Sequence, residues 1–280
     1  MYTILEDEFG DIIKKARLGH HYSLEKLARL TNLELVDLSE FESLTKKPTI
    51  KQVETIADVL NLNAKKLKAI AFDEWVPRYA NNDDFSLLPI QVKLLRGNIN
   101  RGESNCYIVQ KKRIGSCIVI DPGVRLNMLL DFLEKEKLTL KAILISHTHF
   151  DHITSLNELA SGNCPVFVGE KESIDHFSEP VLKNVKFVNN TNINLLEETL
   201  TVLSTPGHTR GGLSFVIRSF VFVGDLMFAG SIGRSLNATF YSTHLESAKR
   251  ILNMPEDTYI CPGHGPVTTV TEELNHNPFF

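Results

Sequence analysis

Apolar residues recur along the chain in two different rhythms, and the change falls near residue 87. From Asp11 to Ala71 the spacing is helical, in short segments without strand-like alternation. Ser23 is placed to cap a helix with Leu24, Leu27 and Ala28 on one face, and after Thr31 and Asn32 a second segment presents Leu35, Leu38 and Phe41. Pro48 and Thr49 open a third, where Gln52 completes a capping box and Val53, Ile56, Ala57 and Leu60 form the buried stripe. Asn63 caps a last short helix through Leu67 and Ile70. Residues 1–72 therefore predict a small all-α bundle.

Between Phe72 and Ser86 the periodicity fails. Pro77, Asn81, Asn82, Asp83 and Asp84 predict a polar linker over residues 73–86, with Trp75 and Tyr79 as the side chains to pin it. From residue 87 to 280 strands alternate with helices. Pro89 to Leu95, Ser104 to Gln110 and Ser116 to Ile120 read as a meander ended by the turn Asp121-Pro122-Gly123, and a helix follows over Arg125 to Glu136. Strand signals recur before His147, at Val166 to Val168, Val185 to Val188, Leu200 to Leu203, Leu213 to Ile217, Phe220 to Val223 and Thr258 to Ile260. The fold class is α/β, preceded by the helical bundle.

An apolar run ends in Ser-His-Thr-His-Phe-Asp-His, residues 146–152: three imidazoles and one carboxylate within six positions. Imidazole and carboxylate are borderline ligands that suit Zn²⁺ and its first-row neighbours, and no cysteine lies close enough to make a thiolate site. At the end of a strand, His147 and His149 share a side through the two-residue period, while Asp151 and His152 are displaced enough to hold a second ion. Three more candidates follow apolar runs: His208 in Thr-Pro-Gly-His-Thr, Asp225 after Gly224, and His264 in Cys-Pro-Gly-His-Gly. The adjoining glycines permit close backbone approach. His20, His21, His176, His244 and His276 read as surface residues.

Composition changes this picture little. The 280 residues carry a formal charge of -4, which argues against a strong overall pull towards nucleic acid or an anionic membrane. No apolar run reaches the roughly 20 residues of a membrane span. Met1 to Gly10 carries Glu6, Asp7 and Glu8 and no apolar core of a secretory signal, and Cys106, Cys117, Cys164 and Cys261 show no Cys-x-x-Cys spacing. Reduced thiols and a cytoplasmic location are the expectation.

Taken together, His147-x-His149-x-Asp151-His152, His208, Asp225 and His264 resemble the metallo-β-lactamase superfamily, over Leu88 to Phe280. The resemblance implies an αββα sandwich with two divalent metal ions at one edge, zinc first, with iron or manganese as alternatives. One ion would take His147, His149 and His208, the other Asp151, His152 and His264, with Asp225 bridging them. Asp121 would steady a histidine or its loop, and Asp151 would also orient the nucleophile. Gly224 to Arg234 and the tail from Pro262 look most like small glyoxalase-II-type hydrolases, which implies a thioester such as a hydroxyacylglutathione-like substrate, with Arg234 facing a substrate carboxylate.

Ser235-Leu236 and Ile153-Thr154-Ser155 depart from that pattern, and only about sixteen residues follow His264, so the helical region that holds glutathione in full-length glyoxalase II enzymes is not expected. Persulfide dioxygenases share the fold with one iron at the positions of His147, His149, His208 and Asp225, and remain the alternative.

The first seventy residues resemble the Cro/C1-type helix-turn-helix family through residues 23–33, Phe41-Glu42, Pro48 and Ala57 to Leu60. In that family the second helix of the pair enters the major groove. Here it spans Glu34 to Ser43, with Glu34, Asp37, Glu40 and Glu42 and no Lys or Arg, which opposes approach to phosphates. The expectation is a module for homodimerisation or for docking on the second domain, with a metabolite-sensing DNA-binding regulator as the alternative.

Overall fold

The computed structural model describes residues 5–87, 89–98, 103–111, 113–160 and 162–280. Met1 to Ile4, part of the stretch read for a secretory signal, and Leu88, at the start of the resemblance, lie outside them. Five helices come first: α1 (Phe9–Gly19), α2 (Leu24–Thr31), α3 (Leu35–Glu42), α4 (Ile50–Leu60) and α5 (Ala64–Ala71). The starts of α2, α4 and α5 follow from the caps read in the sequence. Ser23 and Asn63 accept from the backbone N–H groups of Lys26 and Lys66, and Thr49 with Gln52 forms the capping box. Asn32 and Asn61, both with φ 53°, terminate α2 and α4 in the left-handed conformation that asparagine tolerates.

Strands β1 (Asp84–Leu87), β2 (Ile90–Asn98), β3 (Glu103–Lys111) and β4 (Ser116–Ile120) follow, then α6 (Leu126–Lys135), β5 (Thr139–Leu144), α7 (Phe150–Ile153), α8 (Leu156–Leu159), β6 (Val166–Gly169), α9 (Glu179–Leu182) and β7 (Val185–Val188). Next come β8 (Thr191–Leu195), β9 (Glu198–Ser204), β10 (Leu213–Ile217), β11 (Phe220–Gly224), β12 (Met227–Phe228), β13 (Ser231–Ile232), α10 (Tyr241–Leu252), β14 (Tyr259–Pro262), β15 (Thr268–Thr269) and α11 (Val270–His276). β1 to β7 form one sheet in chain order, and a second has the order β15-β14-β11-β10-β9-β8.

Alternation along β10 and β11 makes the layers. Phe215, Ile217, Phe220 and Phe222 point into a core shared with Val92, Val109 and Ile118 of the first sheet. Val221 and Val223 point the other way and join Ile12, Ile13, Leu60 and Leu67 of the helical bundle, with Ala248 and Ile251 of α10, in one continuous apolar cluster. α6, α8 and α9 cover the far side of the first sheet. The layering is that of an α/β αββα sandwich, with the bundle packed on the outer face of its second sheet.

The connector over residues 73–86 is pinned by the two aromatic residues expected to hold it: Trp75 stacks on His276 at 4.6 Å between ring centroids and Tyr79 bridges Val267. Two sequence expectations need correction, the end of that connector and His244. The connector ends in strand β1, paired antiparallel with β2. Three of the four carboxylates of the α3 segment meet a cation. Glu42 turns inward as a bidentate partner of Arg17 (2.6 and 2.7 Å), and Asp37 and Glu40 share Lys46. His244 is fully buried rather than on the surface, on the inner face of α10, a helix whose apolar period was not read.

Candidate metal centre

All the chemistry-bearing loops leave the same edge of the sandwich. β5 ends at Leu144 and the chain runs through Ser146 and His147 to His149, which precedes the first turn of α7; that turn carries Asp151 and His152. β9 runs into the loop of His208, β11 into Gly224-Asp225, and β14 into Gly263-His264. Gly263 donates to the Gly224 carbonyl (2.9 Å), which locks the last two loops side by side. A Cβ on residue 263 would lie 2.3 Å from Asp225 Oδ1 and 2.5 Å from His152 Cε1, so only glycine leaves room for those ligands.

The side chains fall into two groups. His147, His149, His208 and Asp225 form one, and Asp151, His152 and His264 another. Asp225 lies between them. Its Oδ2 is 3.4 Å from His208 Nε2 and 3.6 Å from His264 Nε2, and its Oδ1 is 3.3 Å from His152 Nε2. His264 Nε2 is also 3.2 Å from Asp151 Oδ2. All seven predicted ligands are thus brought together at one edge.

Asp121 organises members of both groups. Its carboxylate accepts from the Ser146 N–H (2.7 Å), from Ser146 Oγ (2.5 Å) and from His152 Nδ1 (3.1 Å). Because Ser146 Oγ spends its proton on Asp121, it accepts from His147 Nδ1 at 3.1 Å. His208 Nδ1 donates to the Arg234 carbonyl (2.7 Å). In His147, His152 and His208 the Nε2 atom therefore presents a lone pair inward, the orientation that outer partners of ligating histidines produce.

That arrangement suits a cation. His147 Nε2 and His208 Nε2 lie 3.1 and 2.9 Å from the same His149 Nδ1, which has at most one proton to offer two acceptors. Among the described residues the buried atoms His152 Nε2 and Asp225 Oδ1 face only each other, at 3.3 Å and without hydrogen-bond geometry, a costly state for polar atoms. The same groups are strongly coupled: against the effect of burial, Asp225 and Asp121 hold His152 well above the usual imidazole range. Burial together with the neighbouring His152 holds His147 well below the usual imidazole range. Burial would raise Asp225, yet His264, His152 and His208 hold it well below the usual carboxylate range. His264 is pushed up to about 9, against the effect of burial, by Asp225 and Asp151. The donor set and the orphaned atoms fit a divalent metal pair.

Sequence reasoning missed Glu172. From the loop after β6 its carboxylate accepts from Thr148 N–H (3.0 Å), Thr148 Oγ1 (2.9 Å), Thr209 Oγ1 (2.5 Å) and Gly211 N–H (3.0 Å), tying the His147–His149 loop to the His208 loop. Nothing local distinguishes it from Glu170 two residues earlier. His244 was missed as well: Nε2 donates to the Leu226 carbonyl (2.6 Å) and Nδ1 meets Ser235 Oγ (3.0 Å), under the loop of Gly207. Arg234 is exposed beside the site.

Residues 99–264 match the model of the Metallo-beta-lactamase superfamily, and the chain belongs to that family of metallo-hydrolases. It is 34% identical over 204 residues to a probable metallo-hydrolase of Streptococcus pyogenes, a match covering 64% of this chain and 86% of that one. It is 35% identical over 150 residues to a hydroxyacylglutathione hydrolase of Pectobacterium carotovorum, covering 53% of this chain and 57% of the relative, so the chain spans little more than half of that enzyme. The crystal structure of TTHA1623 in a di-iron-bound form superposes with a TM-score of 0.56 at 28% identity, over 66% of this chain and 100% of the other. Among the described residues no helix is long and apolar enough to cross a membrane.

Proposed function

We propose that the protein is a two-metal thioester hydrolase. The observation that carries this reading is the pair of His/Asp groups sharing Asp225, with the buried Asp225 Oδ1 and His152 Nε2 left without hydrogen bonds. His147, His149 and His208 would hold one divalent ion and Asp151, His152 and His264 the other, with Asp225 between them. Zinc is the first candidate, and the di-iron form of TTHA1623 makes iron the second. Bound there, such ions lower the pKa of water towards neutrality and polarise a carbonyl oxygen.

The chain's own residues supply the rest. Asp121, through Ser146 and directly, sets the inward-facing nitrogens of His147 and His152, and the Arg234 carbonyl does the same for His208. Asp151 is half-buried at the mouth of the site, held in its charged form by the hydrogen bond from His264, and orients the attacking water. Before metal binds, His264 commits its Nε2 proton to Asp151, and the other inward atoms are ligands and acceptors, so no proton is set aside for a leaving group. A thiolate departs without prior protonation whereas an amine does not, which favours a thioester over an amide.

Metal analysis of protein purified without added metal, coupled to a thioester assay, tests the reading. About two ions per chain with oxygen-independent cleavage are expected, and His149→Ala, exposed and ligating, should abolish turnover while leaving the fold intact. Undiminished turnover in that variant would falsify the site assignment. The group His147, His149, His208 and Asp225 is complete by itself, so one iron per chain with sulfide-dependent oxygen uptake would favour the oxygenase alternative.

A further inference from the structure

The corner between α1 and α2 faces the loop after Arg234 across a groove of about 430 Å³, the size of a small-ligand site. Its bundle wall is Lys15, Leu18, His21 and Tyr22, and its other wall is Arg234 to Ala238. This second wall is continuous with the metal centre, since His208 donates to the Arg234 carbonyl and Leu236 N–H donates to the Gly207 carbonyl (2.8 Å). The bundle wall is anchored to the same region. Lys15 Nζ donates to the Ile232 carbonyl (2.8 Å), pairs with Asp7, and lies 4.8 Å over the ring of Phe228, whose edge meets the His264 ring at 5.8 Å between centroids.

The groove is chemically one-sided. Leu18 and Leu236 are both large, apolar and about two-fifths exposed (40% and 43%). The lining includes Arg234 and His21, with Lys15 already paired to Asp7, and, among the described residues, no carboxylate, on a chain whose formal charge is -4. The Arg234 guanidinium has no hydrogen bond or ion pair among the described residues, although its backbone is held tightly. His21 is fixed in the left-handed region (φ 56°), its N–H bonded to Leu18 (3.1 Å), so its exposed ring is carried on a rigid corner.

We infer that the helical bundle forms part of the substrate site. Its α1–α2 corner and the Arg234 loop together seat a substrate tail that is apolar along Leu18 and Leu236 and anionic where it reaches Arg234 and His21. The inference rests on the hydrolase reading for the identity of the reacting end, but the groove can be tested apart from it.

The test compares S-acetyl thioesters that share one acyl group and differ in tail: glutathione (carboxylates), 4′-phosphopantetheine (phosphate) and neutral N-acetylcysteamine. The wild type should favour an anionic tail in kcat/KM, and the arm that does so identifies the anion. Leu18→Glu, on the bundle, and Arg234→Ala, on the loop, should each lower the anionic-to-neutral ratio about tenfold, the size of one charge-assisted contact. His21→Gly, which keeps the left-handed backbone, should lower it less. An unchanged ratio in a folded Leu18→Glu overturns the inference whatever Arg234→Ala does; should Leu18→Glu not fold, His21→Gly takes its place. If none of the thioesters is cleaved, the hydrolase reading falls and calorimetry decides the groove. Binding of free glutathione or 4′-phosphopantetheine that weakens in these variants supports it, and absence of binding overturns it.

Discussion

Replacing Glu172 by glutamine is the sharpest probe of how the metal centre is held. The carboxylate accepts four hydrogen bonds, two on each oxygen, and each oxygen serves one hydroxyl and one backbone N–H. Glutamine offers one acceptor oxygen and one NH₂, so either orientation sets the NH₂ against a backbone N–H, that of Thr148 or of Gly211. The hydroxyl on the same side can rotate to accept; the N–H cannot. One backbone donor is stranded at a cost of about 1–3 kcal/mol, and the surviving bonds lose their charge assistance. Glu172 and Thr148 are only half-buried, and water offsets part of this, which leaves a net loss of about 2 kcal/mol. For a chain of 280 residues that is a fall in Tm of roughly 3–4 °C. The two loops joined by Glu172 carry His147, His149 and His208, so metal affinity should fall about 10–100-fold. Thermal melts and a chelator-competition titration would measure the two losses. A variant that melts and binds metal like the wild type would show that Glu172 does not fix these loops.

Gly263→Ala places a methyl group against Asp225 Oδ1 and His152 Cε1, and should weaken metal binding at least tenfold while far-UV circular dichroism stays unchanged. Glu42→Ala strands the buried guanidinium of Arg17 and should cost about 3–5 kcal/mol in urea unfolding, whereas the double change Arg17→Met with Glu42→Leu should cost clearly less. Burial pushes Glu273 up to about 7 while it accepts from Gly230, Thr268 and Asn277. A folded value raised above the unfolded one contributes stability that is whole below about pH 4.5 and is lost as pH rises through about 7. Denaturation midpoints of Glu273→Gln should therefore gain on the wild type across that window; parallel pH profiles would refute the assignment.

The sequence was most legible where function concentrates ligands in short motifs. Each of the seven metal-centre residues lies within four positions of a strand or helix end, so an apolar run followed by His or Asp exposed the site without any knowledge of pairing. Glu172 was illegible because its partners, Thr148, Thr209 and Gly211, lie in loops that only the folded sheets bring near. Strand β1 was lost in the polar connector because Phe85 is its only buried residue. His244 was legible and misread: Tyr241, His244, Ala248 and Ile251 recur at helical spacing, and a buried imidazole bonded at both nitrogens fits that stripe. The pairing of Glu42 with Arg17 was not legible, because side-chain direction, and not sequence, decides it.

The apolar cluster that runs from α1 through Val221 and Val223 into α10 bears on how this gene product can be dissected. Cutting at residue 86 would not liberate a smaller hydrolase. It would bare a sticky wall of valine and isoleucine and invite aggregation, while the severed helices would lose the neighbour against which they are folded. A substitution on one side of that seam should therefore be felt on the other, since the two faces share one close-packed layer.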